Sequence, residues 1–185
     1  MSAFIYARRT FSSERENMEL LDLRFSEKTL KILKGMAGQV FEKYRCDPSI
    51  FHPVYLLPVG IYAGGKCYIM TQEITDKAAG GKKTDVLEWI FREAEEKEIH
   101  SSRPAVVQED HALQKEIKEV RIINEKKTLS RCGKAEYRVY LTKAVRFIFE
   151  KGYLQIRQPV YFSPFFTLED DAEDCREWEK LATLP

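Results

Sequence analysis

The residues whose types and spacing could support catalysis lie between positions 110 and 118 of this 185-residue chain. Asp110, Glu116 and Lys118 follow the order Asp…Glu-x-Lys, in which two carboxylates of a metal-dependent nuclease hold Mg²⁺ and a lysine lies near the attacking water. The interval between the carboxylates is short, and 32% of the residues are charged, so Glu-x-Lys arises easily by chance. A metal-dependent nuclease is therefore the third hypothesis for this protein.

A second chemical pattern is the run Gly80-Gly81-Lys82-Lys83-Thr84. A phosphate-binding loop needs Gly-x-x-x-x-Gly-Lys followed at once by Ser or Thr. Here a second lysine intervenes, and Asp76 occupies the place of the first glycine. His111 stands beside two carboxylates, but its position favours a solvated or capping side chain. We predict no catalytic residue, no metal and no cofactor, and a binding protein rather than an enzyme.

The four cysteines are widely separated and form no Cys-x-x-Cys pair. This spacing predicts reduced thiols and no structural zinc. No stretch approaches the roughly 18 apolar residues that a membrane-spanning helix requires, and the N-terminal residues do not have the pattern of a signal peptide. The sequence therefore predicts a soluble protein of the cytoplasm without membrane contact.

The charges are strongly segregated along the chain. Residues 115–157 contain twelve basic and five acidic residues, whereas residues 169–180 contain seven acidic and two basic ones. The leading hypothesis uses the acidic segment. It predicts a non-enzymatic modulator or inhibitor of a nucleic-acid-handling machine, for example a phage or mobile-element inhibitor of the anti-CRISPR kind, which contacts a protein partner electrostatically. The partner-binding residues would be Glu169, Asp170, Asp171, Glu173, Asp174 and Glu177.

The alternative hypothesis uses the basic segment, whose strands would bind the phosphates of DNA or RNA directly. Exposed tyrosines at 137, 140 or 153 would be available to stack on bases. The candidate cations are Lys134, Arg138, Lys143, Arg146 and Arg157. Charges of opposite sign that neutralise each other within one fold are the third interpretation of the segregation.

Four helices and several strands must position these residues. Ser26 is a predicted N-cap for a helix that continues to Tyr44, and Asp85 with Glu88, spaced as a capping box, predicts a helix at 85–98. Helical spacing predicts helices at 110–120 and 168–182, although 120–123 fits a strand equally well. Period-two patterns predict strands at 3–11 and 18–25, a hairpin at 53–74 around Gly64-Gly65, and another at 145–156.

The resulting fold class is α+β, with antiparallel hairpin-built sheets packed against three to four helices. Small polar residues and a proline at 101–104 predict a linker. On this basis the chain divides into an N-terminal lobe, 1–100, and a C-terminal lobe, 105–185, unless the two form one domain.

Overall fold

A computed structural model describes residues 20–79, 82–131, 134–159 and 164–170. Within these residues the chain is mostly β-strand and contains a single α-helix. The predicted α+β fold with three to four helices is therefore wrong. The elements are β1 (Leu20–Leu23), α1 (Glu27–Lys34), β2 (Val40–Cys46), β3 (Val54–Leu56), β4 (Val59–Ala63), β5 (Lys66–Ala79), β6 (Lys82–Glu93), a 3-10 turn (Glu96–Glu98), β7 (Glu109–Glu116), β8 (Glu119–Arg131), β9 (Lys134–Ile148), β10 (Tyr153–Arg157) and β11 (Phe165–Asp170).

The strands form two sheets. The first has the order β1-β9-β10-β11-β3, with β8 paired along the other edge of β9. Strand β1 runs parallel to β9 opposite residues 138–141, and β10 runs antiparallel to β9 opposite residues 144–148. Because β8 pairs with β9 along its length, β1 and β10 share the opposite edge of β9, one after the other. The second sheet has the order β6-β5-β4-β2-β7, and all its pairs are antiparallel.

The main core contains buried side chains from both sheets. Phe41 of the second sheet meets two rings of the first: its ring centroid lies 5.1 Å from that of Phe147 and 5.9 Å from that of Phe149, both edge to face. This geometry is favourable for aromatic pairs. Strands from both sides of residues 101–104 occur in each sheet, since β7 belongs to the second and β3 to the first. The predicted lobe boundary itself stays a prediction.

The helix predicted from Ser26 begins as expected and ends early. The Ser26 hydroxyl accepts a hydrogen bond from the Thr29 amide, which confirms the N-cap. The helix ends at Lys34, and Gly38 adopts φ 84°, a left-handed conformation that glycine tolerates. The chain then continues as β2, because the aromatic and β-branched residues from Val40 onward pair with β4 and β7.

The helices predicted at 85–98 and 110–120 are wrong. Residues 82–93 form β6, which pairs with β5 from end to end, and residues 109–116 form β7 beside β2. Val86, Trp89 and Phe91 are buried and favour a strand once a long partner strand is adjacent, and this outweighs the capping-box signal of Asp85 and Glu88. The strand alternative for 120–123 is confirmed by β8.

The local turn signals were more reliable. Gly64 and Gly65 both have positive φ in the turn between β4 and β5, as the hairpin prediction required. The second predicted hairpin is confirmed by β9 and β10, whose connection contains Gly152 at φ 89°. The predicted strand at 18–25 corresponds to β1, while the predicted strand at 3–11 lies outside the described residues.

Candidate nucleic-acid interface

A three-stranded face of the first sheet brings several polar side chains together. The pairings of β1 with β9 and of β9 with β8 place Asp22, Tyr140 and Lys126 in one row across the strands. The next row contains Leu20, Arg138 and Thr128. Residues directly opposite each other share a face of a sheet, and alternate residues of one strand return to it. We call Asp22, Arg24, Lys126, Arg138 and Tyr140 the platform.

Tyr140 is the centre of the platform. The guanidinium carbon of Arg24 lies 4.2 Å from the centroid of its ring, and the Lys126 ammonium lies 5.0 Å from the same centroid. Both distances are in the range of cation–π interactions. The contact between Arg24 and Tyr140 joins the end of β1 to the middle of β9, which are far apart in sequence.

Asp22 fixes the position of Arg24. Its carboxylate accepts hydrogen bonds from Arg24 Nε at 2.9 Å and from Nη2, and also from the Arg24 backbone amide at 3.1 Å. These bonds lower the pKa of Asp22 and raise that of Arg24, so both side chains are charged at neutral pH. Still, 43% of the Arg24 side chain is exposed. The platform therefore presents three cations and one carboxylate to solvent.

The alternation of β1 explains this orientation. Leu21 and Leu23 are buried with Val139 and Leu141, so the residues between them point away from that cluster. The Phe25 amide then donates a hydrogen bond to Thr142 Oγ1 at 3.0 Å, which anchors the end of β1 beside β9. Arg24 is thus held between a buried cluster and a buried hydrogen bond.

Two of the predicted nucleic-acid-binding cations lie elsewhere in the sheet and have partners there. Arg146 Nε donates to Gln155 Oε1 at 2.9 Å, and its guanidinium lies 4.5 Å from the ring centroid of Tyr153. Arg157 forms an ion pair with Glu169 at 3.4 Å, and Gln155 donates to that carboxylate as well. These residues form a ladder across β9, β10 and β11 that neutralises part of the predicted basic surface.

The other three predicted cations are divided. Arg138 belongs to the platform and is exposed, whereas Lys143 is only 8% exposed. Lys134 begins β9, and its side chain is outside the described part of the chain. Burial lowers the pKa of Lys143 to about 8, with Glu125 opposing the shift and the charges of Arg157 and Lys127 adding to it. Lys143 is therefore a buried structural residue rather than a surface cation.

This lowered pKa makes stability depend on pH. The unfolded chain retains the lysine proton up to a pKa near 10.5, whereas the folded chain releases it near 8, so the free energy of unfolding should rise with pH in this window. Between about pH 7.5 and about pH 10 we expect the wild type to gain about 2 kcal/mol relative to Lys143→Met, measured by urea denaturation. Parallel pH profiles of the two proteins would contradict the assignment.

The acidic helix was predicted at residues 168–182. The structure describes residues 168–170 of this range, and they form a strand. Glu169 and Asp170 end β11, so this part of the helix prediction is wrong. Only 13% of the Glu169 side chain is exposed, because it accepts hydrogen bonds from Gln155 and Arg157. Residues 171–182, with the predicted partner-binding residues Asp171, Glu173, Asp174 and Glu177, lie outside the described residues. The pattern of alternating Phe166 and Leu168, both buried, explains the strand.

The structure does not bring the predicted nuclease residues together. Asp110 and Glu116 are both in β7, where six residues of strand separate them by roughly 20 Å. Asp110 accepts hydrogen bonds from Lys43 at 2.6 Å and from Arg45 at 2.5 Å, and Arg45 in particular keeps its pKa well below the usual range. Glu116 pairs with Lys118 at 2.8 Å. Among the described residues, no three His, Cys, Asp or Glu side chains lie close enough to hold a metal ion together.

A second polar cluster surrounds Asp47, which is fully buried. Its carboxylate accepts hydrogen bonds from Ser101 Oγ at 2.7 Å, Arg103 Nε at 3.1 Å and Gln108 Nε2 at 3.1 Å. These bonds hold the segment 99–108 against the end of β2. We call the residues of this group the Asp47 cluster.

A groove of about 370 Å³ lies beside the Asp47 cluster. It is lined by polar and apolar side chains, namely Arg45, Ile99, His100, Ser101, Val106, Val107, Gln108 and Asp110. Val107 is 82% exposed in this lining.

The two cysteines that the structure describes, Cys46 and Cys67, carry no sign of activation. Cys46 is buried, and burial raises the pKa of its thiol to about 12; burial also raises the pKa of Cys67. Both thiols are therefore protonated at neutral pH. Cys132, Cys175 and the pair Gly80-Gly81 lie outside the described residues.

No family model matches the chain, and neither a curated protein nor a solved structure matches it. Within the described ranges, no helix is long and apolar enough to cross a membrane.

Proposed function

We propose that the protein binds nucleic acid directly, through the platform formed by β1, β8 and β9. The observation that carries this proposal is the arrangement of Arg24 and Lys126 around the ring of Tyr140 on an exposed face, with Arg138 in the next row. Cations bind the phosphate backbone, and aromatic or guanidinium planes stack on bases. The platform supplies both types of contact within one face.

Charge favours the platform over the remainder of the basic segment. Arg146 and Arg157 already contact Gln155, Tyr153 and Glu169 in the ladder described above. On the platform, Asp22 is the one acidic side chain in the two rows, and Arg24, Lys126 and Arg138 are all exposed on the same face. The net positive charge of this face supports attraction of a polyanion over a distance of about 10 Å at moderate salt.

The proposal is tested by replacing two cations of the platform that lie on different strands. In Lys126→Gln/Arg138→Gln, the affinity for a labelled oligonucleotide should fall, because both cations contact phosphates. The slope of log affinity against log salt should become shallower by about 1–2, since each phosphate contact contributes about 0.7–0.9. Fluorescence anisotropy over a series of salt concentrations measures both quantities.

The matched control is Lys66→Gln/Lys97→Gln, which changes the net charge equally on exposed residues of the second sheet and its following turn. We expect this control to retain the wild-type affinity and slope. Equal losses in both double variants would show binding by net charge alone and contradict the platform. Absence of binding by the wild type would contradict the proposal altogether.

A contact with a protein partner, as a modulator of a nucleic-acid-handling machine, is the second candidate. Its support is the exposed Val107 in the lining of the groove, presented by a segment that the Asp47 cluster holds in place. Preorganised apolar side chains reduce the entropy lost on association. Absence of oligonucleotide binding in the titration above would favour this candidate.

A further inference from the structure

The guanidinium of Arg24 is held by two neighbours and is still partly exposed. Asp22 accepts hydrogen bonds from its Nε and Nη2, and its central carbon lies 4.2 Å from the centroid of the Tyr140 ring. Nevertheless 43% of the Arg24 side chain is exposed. The fixed planar cation is therefore accessible to a ligand.

This arrangement is preorganised. The Asp22 carboxylate that holds the guanidinium is itself fixed by the Arg24 amide, and β1 is anchored by the hydrogen bond from Phe25 to Thr142. An unconstrained arginine loses substantial rotamer entropy when it is immobilised by a ligand. Here most of that ordering occurs on folding, so a flat ligand can stack on Arg24 at a smaller entropic cost.

A nucleobase is the flat ligand that matches this site. Guanidinium planes stack on bases whose faces are accessible, and such faces occur in single strands, loops and ends. In a duplex each base is stacked between its neighbours, and only the phosphates reach a flat sheet. Lys126 and Arg138 are near enough on the same face to bind flanking phosphates.

We infer that the ligand of the platform is single-stranded nucleic acid, with one unpaired base stacked on the exposed face of the Arg24 guanidinium. The inference rests on the proposed function, because it specifies the ligand class of the same site. Arginine and lysine carry the same charge but differ in shape, since only arginine offers a planar group. This difference makes the inference testable apart from charge.

The first experiment compares a single-stranded oligonucleotide with its duplex, using the wild-type protein. We expect tighter binding of the single strand than of the duplex. The second compares Arg24→Lys with the wild type. Loss of one stacked base should weaken single-strand binding by about 5- to 150-fold, while the salt slope stays unchanged. Duplex binding should change little.

Arg121→Lys is the matched control. Arg121 binds Glu119 two residues away through the same pair of nitrogens, each at 2.8 Å, and among the described side chains it has no cation–π contact of the kind that Arg24 makes with Tyr140. We expect this variant to bind as the wild type does. A thermal melt of each variant confirms that it is folded.

The possible outcomes separate the inference from the proposed function. Equal affinity for single strand and duplex, or unchanged single-strand binding by Arg24→Lys, would overturn the inference while the platform remained a phosphate-binding face. If the wild type bound neither the single strand nor the duplex, both the inference and the proposed function would be overturned. DNA and RNA single strands, tested in parallel, show whether the 2′-hydroxyl contributes.

Discussion

Replacing Phe41 by alanine is expected to lower the free energy of unfolding by about 3–5 kcal/mol. Phe41 is fully buried, and its ring contacts both Phe147 and Phe149 across the interface between the two sheets. The variant loses the transfer free energy of the ring and leaves a cavity that two separately hydrogen-bonded sheets cannot close easily. Urea denaturation followed by circular dichroism measures the change.

The control for this prediction is Phe51→Ala. Phe51 has the same side chain, but 73% of it is exposed, so we expect a change below about 1 kcal/mol. If Phe41→Ala lowered the free energy of unfolding as little as the control does, the contacts of Phe41 with Phe147 and Phe149 would not stabilise the packing of the two sheets.

The second large effect is expected for Asp47→Ala. The buried carboxylate is the common acceptor for Ser101, Arg103 and Gln108. Its removal takes this acceptor from Ser101 and Arg103, and Gln108 Nε2 keeps only its longer hydrogen bond to the Pro58 carbonyl at 3.4 Å. We expect a loss of about 2–4 kcal/mol, below the upper values for a buried ion pair because 38% of the Arg103 side chain is exposed and can rehydrate.

Urea denaturation measures this loss, and hydrogen exchange locates it. Protection should decrease in segment 99–108, which the Asp47 cluster holds, before it decreases elsewhere. Lys97→Ala is the control, because it also breaks an ion pair, with Glu95 at 2.6 Å, but both side chains are exposed. A change below about 1 kcal/mol is expected there. Similar losses in the two variants would contradict a structural role for the cluster.

The sequence predicted what local chemistry determines. The N-cap at Ser26 and the glycine turn at Gly64-Gly65 depend on residues close together in the chain, and both are confirmed. The helices at 85–98 and 110–120 were wrong because a capping-box pattern and apolar spacing are both compatible with a strand when a partner strand is available. Which of the two forms depends on pairing between distant residues, and hydrophobic spacing alone does not contain that information.

The residues of the platform were predicted only in part, because some of their contacts also depend on pairing between distant residues. Arg138 was predicted as a phosphate-binding residue, and Tyr140 was named as a stacking residue; the structure places both on the platform. Arg24 was missed, because its contact with Tyr140 depends on the parallel pairing of β1 with β9. The alternation of Leu21 and Leu23 with polar residues was the available signal that Arg24 faces solvent. No local pattern showed that Arg146 and Arg157 are paired within the fold, because their partners lie on neighbouring strands.

The position of β1 also has a consequence for how the platform assembles during folding. The hairpin of β8 and β9 joins neighbouring parts of the chain and brings Lys126 beside Tyr140 at a small cost in loop entropy. Arg24 arrives only when β1 docks on β9, and the hydrogen bond that anchors it joins residues 117 positions apart. Contacts of such high order form slowly. A chain that has formed only this hairpin therefore has part of the positive charge of the platform. The guanidinium of Arg24 joins it only when β1 pairs with β9.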